Sequence, residues 1–122
     1  MDGEGAMSDV VVTVPSRLWE AWLAEGDLPG EPWSGQESYF YLGGHWPNIA
    51  SGERVYIVAR GRLRGYAPLV RIEGAEVDGY YLVRHGGAVA CTIPERIVGF
   101  RGFRYRWWKR EDEKPFLNWT QG

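Results

Sequence analysis

Lysine is scarce in this chain. Of fourteen basic residues, twelve are Arg and only Lys109 and Lys114 are Lys. Arg is the better bidentate partner for phosphate and also stacks on flat rings, so the cationic chemistry is of the phosphate- and base-contacting kind. Cysteine is scarcer still. Cys91 stands alone, which excludes an internal disulfide and fits a reducing, cytoplasmic compartment. Two His, His45 and His85, lie far apart; with one Cys they exclude structural zinc, and neither a metal nor a cofactor is expected. No apolar run approaches 18 residues, the length a membrane helix needs. The start of the chain has neither a basic nor an apolar leader region, so no secretory signal is expected. G-x-x-x-x-G-K-[ST], G-x-G-x-x-G, C-x-x-C and H-E-x-x-H are all missing, and with them the nucleotide, redox and metalloprotease sites they build.

Aromatic residues, by contrast, are abundant. Seven Trp and seven Tyr exceed what one modest core can absorb, so some belong to a surface. Size suits a single domain over residues 10–122. It is preceded by a polar, Gly-rich tail, MDGEGAMSD, read as disordered over 1–9. Charge is divided along the chain. Residues 1–50 hold one base and eight acids, residues 51–110 twelve bases and five acids, and residues 111–122 one base and three acids. A middle segment of +7 points to an anionic partner such as nucleic acid, unless an acidic helix simply neutralises a basic sheet.

Gly52 to Glu73, GERVYIVARGRLRGYAPLVRIE, organises the rest. Val55, Ile57 and Ala59 alternate with Tyr56, Val58 and Arg60, the period of a half-buried strand. Arg60-Gly61 offers the turn of a hairpin, because Gly tolerates positive φ. Leu63 to Ile72 is the return strand, with Pro68 marking an edge or a bulge. Arg60, Arg62 and Arg64 cluster about the tip.

Ahead of this hairpin, Val10 to Val14 is a β-branched strand. A helix is expected over 15–25, with Pro15 in its first turn, Trp19 and Trp22 on its core face and Gly26 as its C-cap. Residues 27–36 form a loop carrying Trp33, either a stacking residue or a hydrophobic plug. Ser38 to Leu42 is a strand with Tyr39 and Tyr41 on one face and Phe40 on the other. Gly43 to Pro47 is a flexible loop bearing His45 and Trp46, and Asn48 to Ser51 is read as one helical turn.

Beyond the central hairpin, Glu73, Glu76 and Asp78 lie in a solvated connector. Tyr80–Arg84 and Ala88–Ile93 form a second hairpin about His85-Gly86-Gly87. Ile97 to Trp108 alternates from Gly102, so that Phe103, Tyr105 and Trp107 face inward. Arg104, Arg106 and Trp108 then face outward, a mixture of guanidinium and indole suited to nucleic acid. Phe116 and Trp119 dock the tail. Cys91 is flanked by strand residues and read as an inert buried thiol. His45 is the only weak candidate for acid–base catalysis, and an enzyme is not the favoured expectation.

Gly52-Glu53-Arg54-Val55-Tyr56-Ile57-Val58, together with Gly65-Tyr66-Ala67-Pro68-Leu69-Val70, resembles the PUA-like superfamily, which includes the PUA, ASCH and EVE domains. The likeness covers residues 10–110. It implies an α+β, mainly β fold: a small mixed PUA-like barrel flanked by one or two short helices. It also implies a cleft beside the barrel that takes RNA or a modified base. The ASCH signature G-x-K-x-x-E-x-R is incomplete. Arg54 replaces Lys, Ile57 replaces Glu and Ala59 replaces Arg. The expected function is therefore nucleic-acid binding. Arg60, Arg62, Arg64, Arg101, Arg104 and Arg106 would contact phosphates, and Trp33, Tyr39, Tyr41, Trp46 and Trp108 would stack on bases. An ASCH-type RNA or nucleoside hydrolase and a protein-interaction module are the alternatives.

Overall fold

The computed structural model describes residues 8–17, 19–20, 37–76, 78–84 and 88–116. Among these the strands are β1 (Val10–Thr13), β2 (Ser38–Leu42), β3 (Arg54–Ala59), β4 (Arg62–Gly74), β5 (Tyr80–Arg84), β6 (Val89–Thr92), β7 (Phe103–Tyr105) and β8 (Lys114–Pro115). A 3-10 turn spans Arg110–Asp112. The strands form one curled mixed sheet, a half-barrel, where a small barrel was expected. Their order is β2-β5-β4-β3-β1-β7, with β6 beside β4 and β8 beside β6. β1 runs parallel to β3 and antiparallel to β7.

The central hairpin forms as its alternation requires. Arg60 and Gly61 both take positive φ, 53° and 79°, the pattern of a two-residue turn whose twist matches its strands. Arg60 holds this conformation while its guanidinium donates to Ser16 Oγ at 3.0 Å and Glu20 Oε2 at 2.6 Å. Farther along β4 the pairing slips. Val58 opposes Leu63 and Ile57 opposes Gly65, so Arg64 is an extra residue, a bulge, and bulges re-aim side chains. Beside β5 a second slip leaves Val70 between the partners Leu69 and Arg71. Pro68 lies between the two irregularities. Together they let one strand of thirteen residues bend through the whole curl.

Gly65 sits where β6 crosses closest. A Cβ there would overlap the Val89 carbonyl oxygen and press on the Ala90 backbone. Gly65→Ala is therefore expected to cost about 2 kcal/mol, read as a lower urea midpoint, with loss of amide-exchange protection confined to β6 and its contacts.

Pairing beyond β4 departs from expectation. β5 and β6 do not form a hairpin with each other. Both run antiparallel to β4, β5 along Leu69–Gly74 and β6 along Gly65–Tyr66, so they run in the same direction. A turn was read into His85-Gly86-Gly87 because Gly-rich dipeptides usually reverse the chain. The long edge of β4 offers both strands a better partner than they offer each other. The helical turn read at Asn48–Ser51 is also not formed. Asn48 N–H donates instead to Tyr105 Oη at 2.9 Å, and residues 51–52 make a plain turn. Of the expected helix, residues 16, 17, 19 and 20 are helical. Trp19 is fully buried, as its place on the core face predicts. Trp22, Gly26, Trp33, His85 and Trp119, for which the sequence carries expectations, lie outside the described residues.

The sheet buries apolar residues on both faces. Val55, Ile57 and Ala59 join Val10, Val12, Trp19, Leu69, Tyr80 and Leu82 on one side. Tyr56 and Val58 join Val11, Leu63, Cys91, Ile97 and Trp108 on the other. Burial on two faces explains why β1 reads as an unbroken Val run rather than an alternation. Each such side chain contributes about 1.5–3 kcal/mol. Asp9, placed in the tail by its polar neighbours, is 2% exposed.

Candidate nucleic-acid interface

The fold gathers arginines at the end of the sheet where the central hairpin turns. Arg62 opposes Ala59 at the tip. Arg96 lies against Gly61, its guanidinium close to where a Cβ would be, and Ile97 N–H binds the Gly61 carbonyl at 2.9 Å. Phe100 N–H reaches Thr13 Oγ1 at 3.4 Å, which brings the exposed Arg101 to the same end. Arg17 follows Ser16, the partner of Arg60. Among the described residues Arg62, Arg96, Arg101 and Arg104 make no salt bridge. Two of them lie over rings instead: Arg62 at 5.2 Å from the Phe116 centroid and Arg104 at 4.4 Å from that of Phe100. Burial, followed by repulsion from Arg62 and Arg60, lowers the pKa of Arg64. Arg96 carried no motif; only the Ile97–Gly61 bond reveals its place.

Three of the expected phosphate contacts are otherwise engaged. Arg64, re-aimed by the bulge, is 1% exposed, binds the Ala59 carbonyl at 2.8 Å and lies over Trp19 and Phe116. It is a core residue and not a surface cation. Arg106 donates to Asp9 Oδ2 at 3.0 Å and to the Trp108 carbonyl. Arg60 is shared with Glu20. Of the expected six, Arg62, Arg101 and Arg104 stay open to an anion.

The expected aromatic surface divides in the same way. β7 ends at Tyr105, so the alternation read through Trp108 stops there. Tyr105 and Trp107 turn out 44% and 41% exposed, while Trp108 is 9% exposed. Trp108 is thus a core residue rather than a stacking one. Tyr39 and Tyr41 do stand exposed on β2, each edge-on to Tyr81 of β5. Beside them Arg71 is neutralised by Glu37 and Glu73. Trp46 is 50% exposed and tilted over Tyr80 at 5.8 Å. His45 is edge-on to Phe103 at 5.8 Å. Among the described residues its contacts include no carboxylate and no nucleophile.

Two buried carboxylates hold this frame together. Asp9 accepts from the Arg54 N–H at 2.9 Å, from Arg106 at 3.0 Å and from Arg110 at 2.8 Å. Burial alone would raise its pKa. The hydrogen bonds from Arg54, Arg110 and Arg106 outweigh that and hold it below the usual carboxylate value. Glu53 beside it is raised, by burial first and then by the Asp9 charge. Glu113 accepts from Tyr56 Oη at 2.5 Å, Trp108 Nε1 at 2.8 Å and Arg54 Nη1 at 3.1 Å. Its neighbour Cys91 is 5% exposed, and burial, then the Glu113 charge, pushes the thiol up to about 12. A thiol protonated at neutral pH is a poor nucleophile, as expected for an inert core residue.

A shallow cleft of about 370 Å³ opens beside Trp108, lined by Glu95, Glu111, Asp112 and Lys114 with Ile93 and Pro94. Three carboxylates against one ammonium make it unfit for phosphate. Among the described residues no group of three His, Cys, Asp or Glu could hold a metal. No helix among them is long and apolar enough to cross a membrane. Comparison with known protein families, with curated proteins and with solved structures yields no match.

Proposed function

We propose that this half-barrel binds single-stranded nucleic acid, RNA in the first instance, along the arginine end of its sheet, in the manner of a PUA-like domain. One observation carries the reading. Arg62, Arg96 and Arg101 lie at that end, and among the described residues neither they nor Arg104 make a salt bridge; Arg62 and Arg104 lie over Phe116 and Phe100. Guanidinium groups so placed meet phosphates, and rings beside them meet bases.

Four phosphate contacts on a single strand give an expected slope near −3 for log affinity against log salt. Intrinsic Trp fluorescence, titrated with single-stranded RNA, single-stranded DNA and duplex DNA at several salt concentrations, measures it. Arg101→Ala and Arg104→Ala should each make the slope shallower by about 0.7. A slope near zero would exclude phosphate recognition.

A second reading has its own support. Tyr39 and Tyr41 stand exposed on β2 against the half-buried Tyr81 of β5, beside an Arg71 already paired with Glu37 and Glu73, which favours a protein partner over a phosphate. Complexes that persist in high salt and vanish in Tyr39→Ser/Tyr41→Ser would select it.

A further inference from the structure

β2 and β7 are the outermost strands of the main order, and they differ in how they end it. β7 has three residues, with the exposed Arg104 at its centre. A charge in the middle of an outer strand guards it, because a second copy laid alongside would bring like charges together. β2 has five residues, Ser-Tyr-Phe-Tyr-Leu. It carries no charge and no Pro, and its three central residues are aromatic, the kind most at home in a strand. Among the described residues β5 is the strand it pairs with.

The direction of its backbone groups follows from one close approach. Leu42 opposes Tyr80, the first residue of β5. A Cβ on Gly79, just before it, would overlap the Leu42 carbonyl oxygen, so that carbonyl is turned toward β5. Consecutive residues of a strand direct their N–H and C=O to opposite edges. Phe40 therefore shares the direction of Leu42, while Tyr39 and Tyr41 turn their backbone groups away from β5. Their rings are 53% and 55% exposed. Their hydroxyls are engaged within the chain, donating to Glu37 Oε1 at 3.1 Å and to the Asp78 carbonyl at 2.6 Å. What the two residues present outward is ring and strand edge.

The order of residues supplies a register. About Phe40 the strand reads aromatic in both directions, Tyr39 before and Tyr41 after. When a second copy is laid antiparallel with Phe40 opposite Phe40, Tyr39 of each copy meets Tyr41 of the other. These are the outward-facing residues, so each such pair exchanges both of its main-chain hydrogen bonds. Cross-strand aromatic pairs then form on the face that Tyr81 already shares, and such pairs stabilise a sheet. No like charges meet, since the strand has none.

We propose that β2 is the interface of a homodimer, in which two copies of this chain join antiparallel through Tyr39 and Tyr41 about a two-fold axis at Phe40, so that one sheet runs through both. The dimer rests on the protein-partner reading of these tyrosines and names that partner as the chain itself. None of the arginines of the nucleic-acid reading lies on β2.

Sedimentation velocity over a concentration series, at low and high salt, measures the association; a dimer indifferent to salt is expected. Amide hydrogen exchange reads the register. The Tyr39 and Tyr41 amides should be protected in the dimer and lose protection on dilution, while those of Phe40 and Leu42 stay protected throughout. Tyr41→Pro removes an N–H that β5 does not use and should raise the dimer dissociation constant about tenfold or more. Tyr41→Lys keeps the N–H, sets a charge on the edge and should act in the same direction, with circular dichroism showing both variants folded. A monomer at every concentration would overturn the dimer, and so would a dimer whose Tyr39 and Tyr41 amides exchange freely or one that neither substitution weakens. A monomer that nevertheless binds a different protein, and loses it in Tyr39→Ser/Tyr41→Ser, would overturn the dimer and keep the protein-partner reading; a monomer with no such complex would remove both.

Discussion

Glu113→Ala is expected to lower stability by about 3 kcal/mol, a large share of the roughly 5–15 kcal/mol that holds a domain of this size together. The carboxylate is 7% exposed and pairs with Arg54. It also takes the hydroxyl of Tyr56 and the indole N–H of Trp108. Truncation leaves both donors stranded among Val58, Leu63 and Ile97, and each buried unmet donor costs about 1–3 kcal/mol. Arg54 suffers less, being partly exposed and stacked on Tyr66 at 4.1 Å. Urea unfolding followed by circular dichroism measures the loss. Tyr56→Phe in the Glu113→Ala background should recover part of it, because it removes one of the stranded groups. Absence of any recovery would show that the carboxylate acts through charge alone.

Asp9→Ala should cost a similar amount, about 3 kcal/mol, with a characteristic dependence on pH. The folded-state pKa of Asp9 lies below its ordinary value of 3.8. Its stabilisation is therefore complete above that ordinary value and is lost as pH falls through the lower, folded one. The wild type and the variant should thus converge in acid. Glu53 has the opposite sign. Its pKa is raised above 4.5, so its ionisation works against the fold as pH rises through that raised value. Glu53→Gln should be the more stable protein at pH 7, and the gain should fade below pH 4.5. Thermal melts of the three proteins across acid pH separate the two carboxylates. A Glu53→Gln gain that is flat with pH would refute the assignment.

The strands were largely written in local pattern. Ser38–Leu42 and the two arms of the central hairpin announce themselves by alternation, and the turn by Arg60-Gly61. Pairing was another matter. β5 and β6 each read as strands, but nothing local says that both prefer β4, a choice made by the length of β4 and its bends. The bulge at Arg64 has no local signal either, and it alone turns a cation from the hairpin tip into the core. Trp108 lies three residues past the end of β7, where the alternation no longer decides which way a side chain faces. Asp9 looked like tail because its partners, Arg106 and Arg110, are about a hundred residues away. For the candidate site, the Arg-rich composition was legible, while the separation of paired from unpaired guanidinium groups needed the fold.

The clasp at Asp9 also sets the order of events in folding. β1 pairs with β7, Val12 against Phe103, and Asp9 bonds residues that lie still later in the chain. Contacts so far apart in sequence carry the largest loop-closure entropy and form slowly. The β3–β4 hairpin, closed by two residues, has almost none to overcome. A nascent chain can thus build its central ribbon early but must wait, with the Val face of β1 uncovered, until residues 103–110 have left the ribosome. During that interval Val10-Val11-Val12 can pair with β3 but keeps an open apolar edge where β7 will lie, the edge a chaperone would hold and the one through which two unfinished chains would first adhere.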